Sequence, residues 1–392
     1  MRVGIDLEQF ARDPYGSGIQ RVLQYLAKEW PTGDPEADFI FPDGDSYALL
    51  TSDQAYRILS IPFEGRDREI VSGEEFDLRA EVRNAIADAP GARVLETELP
   101  ARYTTWLLPE VSYLPEVTRR VREFGKIMTT VMIGYDALPM TEPRNYRFKP
   151  GTARHVSEYF LQLASVDRVI CISEYSRGEI LNVLRRSPDL VTIVAHPGGD
   201  HIEDHSEDHS EVQATRSRNG KTQFIRLGTL EARKMPMEIL HAFLEANPPN
   251  TELVFIGGKS YSDQMINDSI QQACDDGKSV RWIKGASDQE VIDHIAGGDV
   301  FLAIGIEGYG IPVLEAIALG TPVLYSGIQP AAEIMDSAGA VRLPGNTHME
   351  LVAMFREYSE SGALEQLNIQ VDSTKIPRWK EFAAVVAEQC RI

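Results

Sequence analysis

Cysteine is scarce in this chain, which has only Cys171, Cys274 and Cys390 among 392 residues and no CxxC pair. A disulfide framework or a zinc-thiolate site is therefore not expected, and a reducing compartment fits. No stretch approaches the ~20 apolar residues that cross a bilayer. The N-terminal MRVGIDLEQF lacks the apolar run of a secretory signal. These absences favour a cytoplasmic protein.

Positive charge is also in short supply. The chain has 39 Lys and Arg against 59 Asp and Glu, a formal net charge of -20. Nucleic acid is excluded as an expected partner because phosphate binding relies on basic side chains. Broad attraction to anionic lipid is disfavoured as well, although a local basic patch leaves peripheral contact at the inner membrane face open.

Short apolar runs alternate with helical patterns, most clearly after residue 220. TQFIRLG, TELVFIGG, VRWIKG, DVFLAIG and TPVLYS are predicted strands, and amphipathic helices are predicted between them. In the first half, RVGID, KIMTTVMIGYD and DRVICIS are predicted strands, whereas residues 43–125 give no clear pattern. This alternation predicts an α/β protein with parallel sheets covered on both faces, whose ligands bind beyond the carboxyl ends of the strands.

A polar stretch over residues 196–221 separates the two halves and contains the local duplication EDHSEDHSE. It has no recognised metal-ligand spacing. We therefore interpret it as a solvated linker or surface loop, with a metal site at His201, His205 and His209 as the weaker alternative.

The segment GIEGYGIPVLEA, residues 305–316, is typical of a strand, a glycine loop and a helix start. Unpaired N–H groups at a helix start favour phosphate, and Pro312 suits the first turn. The carboxylates of Glu307 and Glu315 can accept hydrogen bonds from sugar hydroxyls. The layout suits a diphosphate that joins two sugars.

Two further segments have less specific patterns. Ser173 is predicted to cap the helix EYSRGEILNVLRR rather than to act as a nucleophile, because no GxSxG elbow surrounds it. Gly16 and Gly18 in YGSGIQR could line the cleft near a phosphate or only begin a helix. Arg21 replaces the third glycine of GxGxxG, which argues against a nicotinamide site.

EGYGIPVLEAIALGTPVL closely resembles the E-x7-E signature of the retaining family 4 glycosyltransferases. LGTLEARKMPMEILHAF, ASDQEVIDHIAGGDVFL, PAAEIMDSAGAVRLP and PRWKEFAAVVAEQ resemble other segments of that family in the same order. The resemblance implies a GT-B fold with two Rossmann-like domains facing a central cleft. Its expected parts are an acceptor-side domain over residues 1–200, a linker or loop over 201–221, a donor-binding domain over 222–375 and a returning helix over 376–392.

The resemblance also implies roles for individual residues. Glu315 would hold the donor's ribose, Glu307 the transferred sugar and Lys234 the diphosphate. Gly308, Tyr309, Gly310 and Ile311 would bind the donor through the loop and helix start, and Tyr135 and Asp136 would lie on the acceptor side. The catalytic set would be Glu307, Lys234 and Asp136, with no metal or cofactor.

Two departures from the family pattern concern the reacting centre. Thr229 stands where the family usually has arginine, and either Arg226 or Arg233 could replace it. Tyr135 stands where the family has histidine. The expected activity is retaining transfer of a hexose from a nucleoside-diphosphate sugar to a saccharide or lipid-linked hydroxyl, in polysaccharide, O-antigen-like or glycolipid assembly. A catalytically silent partner-binding GT-B protein and a nucleotide-sugar epimerase remain the alternatives.

Overall fold

The computed structural model describes residues 1–14, 18–61, 78–146, 152–185, 190–202, 220–260, 263–368 and 371–391. Two sheets organise the chain. The first contains the strands β1 Arg2–Asp6, β2 Glu36–Asp43, β3 Ser46–Leu50, β4 Ala92–Val94, β5 Thr105–Leu108, β6 Thr129–Gly134, β7 Arg168–Cys171 and β8 Val191–Val194. The second contains β9 Thr222–Leu227, β10 Thr251–Ile256, β11 Val280–Ile283, β12 Val300–Ile306, β13 Val323–Ile328 and β14 Ala340–Arg342.

Helices cover both sheets. Those of the first half are Glu8–Arg12, Gly18–Lys28, Ser52–Leu59, Leu78–Asp88, Pro115–Phe124, Leu138–Thr141, Thr152–Leu163 and Glu174–Val183. Those of the second half are Pro236–Ala246, Gln264–Asp275, Asp288–Ala296, Ile311–Ala318, Pro330–Ile334, His348–Glu357, Ser361–Asn368 and Trp379–Gln389. No helix in these described ranges has the length and apolar character needed to span a bilayer.

The C-terminal sheet is parallel throughout, with the order β11-β10-β9-β12-β13-β14. Strand order therefore reverses between β9 and β12. A crevice opens beyond the carboxyl ends of two strands at such a reversal, because their following connections leave in opposite directions. The segments after β9 and β12 are the ones that contain Lys234 and Glu307.

The N-terminal sheet has the order β4-β3-β2-β1-β5-β6-β7-β8 and reverses between β1 and β5. It differs from the predicted parallel sheet at one edge, where β3 pairs antiparallel with both β2 and β4. A two-residue turn joins β2 to β3, as an antiparallel pair allows, whereas β4 returns to β3 after the helices Ser52–Leu59 and Leu78–Asp88. These edge strands lie in the region whose sequence pattern was unclear.

Local sequence signals place the ends of several helices. The Ser173 hydroxyl accepts a hydrogen bond from the Ser176 N–H at 2.9 Å, which confirms the predicted cap. Pro312 lies in the first turn of the helix Ile311–Ala318, and Gly310 before it has φ 105°. Gly320, just beyond that helix, has φ 75°, a conformation that glycine adopts without strain.

Candidate functional site

The site is built around Glu307, which follows β12 at the reversal of the C-terminal sheet. Its carboxylate pairs with Arg233 Nη1 at 2.5 Å and with Lys234 Nζ at 2.9 Å. Both cations come from the short turn Ala232–Lys234 after β9. Because neighbouring parallel strands end at the same edge, two segments about 70 positions apart meet here.

The electrostatics of Glu307 are dominated by these cations. Burial alone would raise the pKa of Glu307, but the charges of Arg233 and Lys234 outweigh it and hold the pKa far below its usual range. Burial in turn lowers the pKa of Lys234, although the charge of Glu307 opposes that effect. Glu307 is therefore ionised at physiological pH, and its carboxylate forms ion pairs with both Arg233 and Lys234.

Cations and carboxylates are gathered around Glu307 in equal number. The cations Arg226, Arg233 and Lys234 face the carboxylates of Glu231, Glu307 and Asp136. Burial raises the pKa of Asp136, so this carboxyl group balances the cations less fully than Glu307 does. The Arg233 Nε is also a buried donor without a hydrogen-bond partner, and such a group costs about 1–3 kcal/mol.

The two arginines proposed as replacements at Thr229 occupy different places. Arg233 contacts Glu307 directly and donates from Nη1 to the Ile306 carbonyl at 2.7 Å. Arg226 is turned into the protein, where it donates to the carbonyls of Leu227 and Ile304. Burial lowers the pKa of Arg226 to about 10. Of the two, the side chain that contacts the Glu307 carboxylate is therefore Arg233.

The loop between Glu307 and the helix Ile311–Ala318 presents free backbone donors. Within the described parts of the chain, the N–H groups of Gly308, Tyr309, Gly310 and Ile311 make no hydrogen bond. The next N–H, that of Val313, donates to the Gly310 carbonyl at 3.0 Å. Such consecutive donors at a helix start form a preorganised site for oxygen acceptors.

The opposite wall of the cleft comes from the N-terminal domain. A Cβ atom on Gly308 would lie 2.7 Å from Asp136 Oδ2, so this close approach requires glycine. Ser173 crosses the cleft and donates from its hydroxyl to the Gly308 carbonyl at 2.8 Å. Burial raises the pKa of Asp136, although the charge of Arg233 opposes the shift. The structure thus brings Asp136, Glu307 and Arg233 together.

Tyr135 does not face the cleft with its hydroxyl. Its side chain is buried, and the hydroxyl donates to the Pro109 carbonyl at 2.6 Å. The hydroxyl therefore bonds within the N-terminal domain, to the loop after β5, and the acceptor-side role of Tyr135 stays a prediction. Asp136, the next residue, is the one beside the loop.

Glu315 is buried and lies in the second turn of the helix Ile311–Ala318. Arg21 of the helix Gly18–Lys28 pairs with its Oε1, and His201 Nε2 lies 2.9 Å from the same oxygen. Burial alone would raise the pKa of Glu315, but the charge of Arg21 and the hydrogen bond from His201 lower it to about 2. Both predicted carboxylates are thus ionised and ion-paired.

The expectation of a solvated segment over 196–221 is wrong at its start. His201 and Ile202 are only 6% and 4% exposed, because the chain crosses here between the sheets and packs against the helix Trp379–Gln389. His205 and His209 lie outside the described residues, as does Gly16. Gly18 begins its helix, and a side chain there would meet nothing within 4 Å. Across the described ranges, no three His, Cys, Asp or Glu side chains are placed to hold a metal ion.

Sequence reasoning missed Glu110 on the N-terminal side. It follows β5 at the reversal of the N-terminal sheet, is 4% exposed, and accepts a hydrogen bond from the Phe10 N–H at 2.7 Å. Burial raises its pKa well above the usual range. The one sequence signal for Glu110 is its position as an acidic residue at the end of the apolar run TWLLP. The sequence analysis named Arg21 and His201 but did not predict that they contact Glu315, because no local sequence pattern connects them with it.

Residues 208–368 match the family described as glycosyl transferases group 1, so the chain contains a domain of that group. Two curated relatives from Escherichia coli are similar to this chain. The O-antigen chain mannosyltransferase B is 24% identical over 190 residues, covering 47% of this chain and 49% of that protein. The serotype-specific mannosyltransferase WbdA is 23% identical over 350 residues, covering 84% of this chain and 39% of that protein. The chain thus spans half or less of the length of these relatives.

Solved structures match nearly the whole chain. HepE of Anabaena in complex with UDP and glucose has a TM-score of 0.61 at 16% identity, with 100% of this chain and 95% of that chain covered. WaaG, a glycosyltransferase involved in lipopolysaccharide biosynthesis, has a TM-score of 0.63 at 14% identity, with 99% of each chain covered. These likenesses show the fold, which is GT-B as predicted from the sequence.

Proposed function

We propose that this chain, a GT-B protein with a glycosyl transferases group 1 domain, transfers a hexose from a nucleoside-diphosphate sugar to an acceptor hydroxyl with retention of configuration. The observation that carries the proposal is the loop after β12. Four consecutive free N–H groups lie beside the cations Arg233 and Lys234, which pair with Glu307. A diphosphate can accept hydrogen bonds from these donors and pair with the two cations.

Each residue at the loop has a part in this reaction. Lys234, Arg233 and the loop N–H groups stabilise the diphosphate as it leaves, which accounts for a reaction without a metal ion. Glu307 orients the hexose through its hydroxyls, and Glu315 accepts hydrogen bonds from the ribose. Asp136, on the opposite wall, orients the acceptor.

The bond changes follow a front-face displacement. The bond between the anomeric carbon and the diphosphate oxygen breaks, and the acceptor oxygen bonds to the same face of that carbon. The acceptor's proton passes to an oxygen of the leaving diphosphate, so the chain needs no separate general base. Glu307 is a poor candidate for a base because Arg233 and Lys234 keep its pKa far below its usual range.

The names of the curated relatives guide the choice of substrates. Both are mannosyltransferases, and one acts on the O-antigen chain, so we propose mannose as the first hexose to test and a saccharide chain, free or lipid-linked, as the acceptor. HepE was solved with UDP and glucose, which places UDP sugars in the same panel. Peripheral contact with the inner membrane face belongs to this proposal if the acceptor is lipid-linked.

The test measures donor hydrolysis and transfer with purified protein and a panel of UDP, GDP and ADP sugars. We expect slow hydrolysis of one donor, lost in Lys234→Ala and Glu307→Ala and retained in Lys278→Ala, at an exposed lysine after the helix Gln264–Asp275. Donor binding without turnover in any acceptor pool would favour a silent partner-binding protein. Interconversion of free nucleotide sugars would favour an epimerase.

A further inference from the structure

The Glu315 carboxylate is bonded on one oxygen only. Arg21 and His201 both reach Oε1, and within the described residues no hydrogen bond reaches Oε2. The side chain is nevertheless almost completely buried, at 4% exposure. Arg21 and His201, which both lie outside the helix that contains Glu315, thus orient its carboxylate. The second oxygen, Oε2, can accept hydrogen bonds from a ligand.

The hydrogen bonds of His201 define which ring nitrogen carries the proton. Trp379 Nε1, which can only donate, lies 3.1 Å from His201 Nδ1, so Nδ1 is the acceptor. In the neutral imidazole the proton is then on Nε2, which donates to Glu315 Oε1 at 2.9 Å. This gives a directed relay from the Trp379 indole through His201 to Glu315.

The relay is fixed in place by its surroundings. The backbone N–H of Trp379 donates to Asp200 Oδ1 at 2.9 Å. The Trp379 ring stacks on the Tyr25 ring, with the two centroids 5.0 Å apart. A Cβ atom on Gly199 would lie 2.3 Å from Leu314 Cβ. The passage of the chain at Gly199 and His201 therefore packs directly against the helix that contains Glu315, and Trp379 is hydrogen-bonded to that passage.

Resting on the proposed function, we propose that His201 and Arg21 are positioning residues for the donor's ribose. His201 turns Glu315 so that Oε2 accepts the ribose hydroxyls, and Arg21 ties the same carboxylate to the N-terminal domain. The nucleotide site would then be built from both domains although Glu315 belongs to one of them.

The test separates the ribose hydroxyls from the rest of the nucleotide. Binding of UDP, GDP or ADP, whichever raises the melting temperature of the wild type most, is measured by calorimetry beside its 2′,3′-dideoxy counterpart. We expect His201→Ala to weaken binding of the intact nucleotide about tenfold or more, the effect of about one charged hydrogen bond. Binding of the dideoxy nucleotide should change less than twofold, and this second ligand also reports whether the variant is folded.

Two further variants sharpen the result. His201→Gln offers an amide N–H toward Glu315 and should recover most of the lost affinity, whereas Arg21→Gln should again weaken the intact nucleotide selectively. His241→Ala, at an exposed histidine of the C-terminal domain, should resemble the wild type. In kinetics, KM for the donor should rise in His201→Ala while kcat stays within about twofold, because the ribose is bound alike in ground and transition states.

The outcomes separate this inference from the proposed function. Equal losses for both nucleotides in His201→Ala, or no loss for either, would overturn the positioning role while donor binding by the wild type still stood. If the wild type bound none of UDP, GDP and ADP, the proposed function would fail and the inference with it.

Discussion

Replacing Glu315 by glutamine should make the protein less stable near neutral pH, and the difference should disappear on acidification. The change keeps the shape of the side chain and its ability to accept hydrogen bonds, but it removes the charge that pairs with Arg21. The wild-type carboxylate is buried and has its pKa lowered to about 2 by Arg21 and His201, against the effect of burial.

The size of the effect follows from this pKa. A tenfold change in proton affinity is worth about 1.4 kcal/mol, so lowering a glutamate pKa from its ordinary value of about 4.5 to about 2 corresponds to about 3 kcal/mol of unfolding free energy. Because the folded-state pKa is the lower one, this stability is present above about pH 4.5. It is lost progressively as the pH falls from there toward about 2.

The assay is urea denaturation followed by tryptophan fluorescence between pH 3 and pH 7. The difference in unfolding free energy between wild type and Glu315→Gln should be about 3 kcal/mol near pH 6 and should shrink by about 1.4 kcal/mol per pH unit below about pH 4.5. Glu388→Gln, at an exposed carboxylate of the helix Trp379–Gln389, is the matched control and should differ little at any pH. A difference that is absent, or that stays constant with pH, would refute the ion pair.

Three other outcomes can be checked with the same protein. Lys234→Gln should weaken binding of UDP or GDP at least tenfold in calorimetry, because a diphosphate loses one of its cations; unchanged affinity would contradict the placement of the diphosphate. Gly199→Ala should lower the midpoint of urea denaturation by the equivalent of about 1–3 kcal/mol, since its Cβ would lie 2.3 Å from Leu314 Cβ; a neutral result would show that the two segments are not packed together. Ser173→Ala removes both a helix cap and the 2.8 Å hydrogen bond to the Gly308 carbonyl, so thermal denaturation should report a loss of about 1–2 kcal/mol, which Ser173→Thr should partly avoid.

Much of the fold was predictable because its signals are local. Apolar runs of four to seven residues gave the strands β9 to β13, and glycine, proline and serine gave the ends of the helices between them. The antiparallel strands β3 and β4 were not predictable, since they are short and lie among charged residues. Arg120 shows the difficulty: it is only 1% exposed and pairs with Asp6 and Glu8, whereas isolated charges in a sequence usually indicate surface.

The sequence by itself determined the elements and the contents of the loop after β12, because a glycine loop, a helix start and two carboxylates eight positions apart are written into twelve consecutive residues. Tertiary structure decided what surrounds those carboxylates. Glu307 meets the cations Arg233 and Lys234 because β9 and β12 are neighbours at the reversal of the sheet. Glu315 meets Arg21, 294 positions away, because the two domains close on each other there. Such pairings depend on how segments that are distant in the sequence pack together, so no local sequence pattern predicts them.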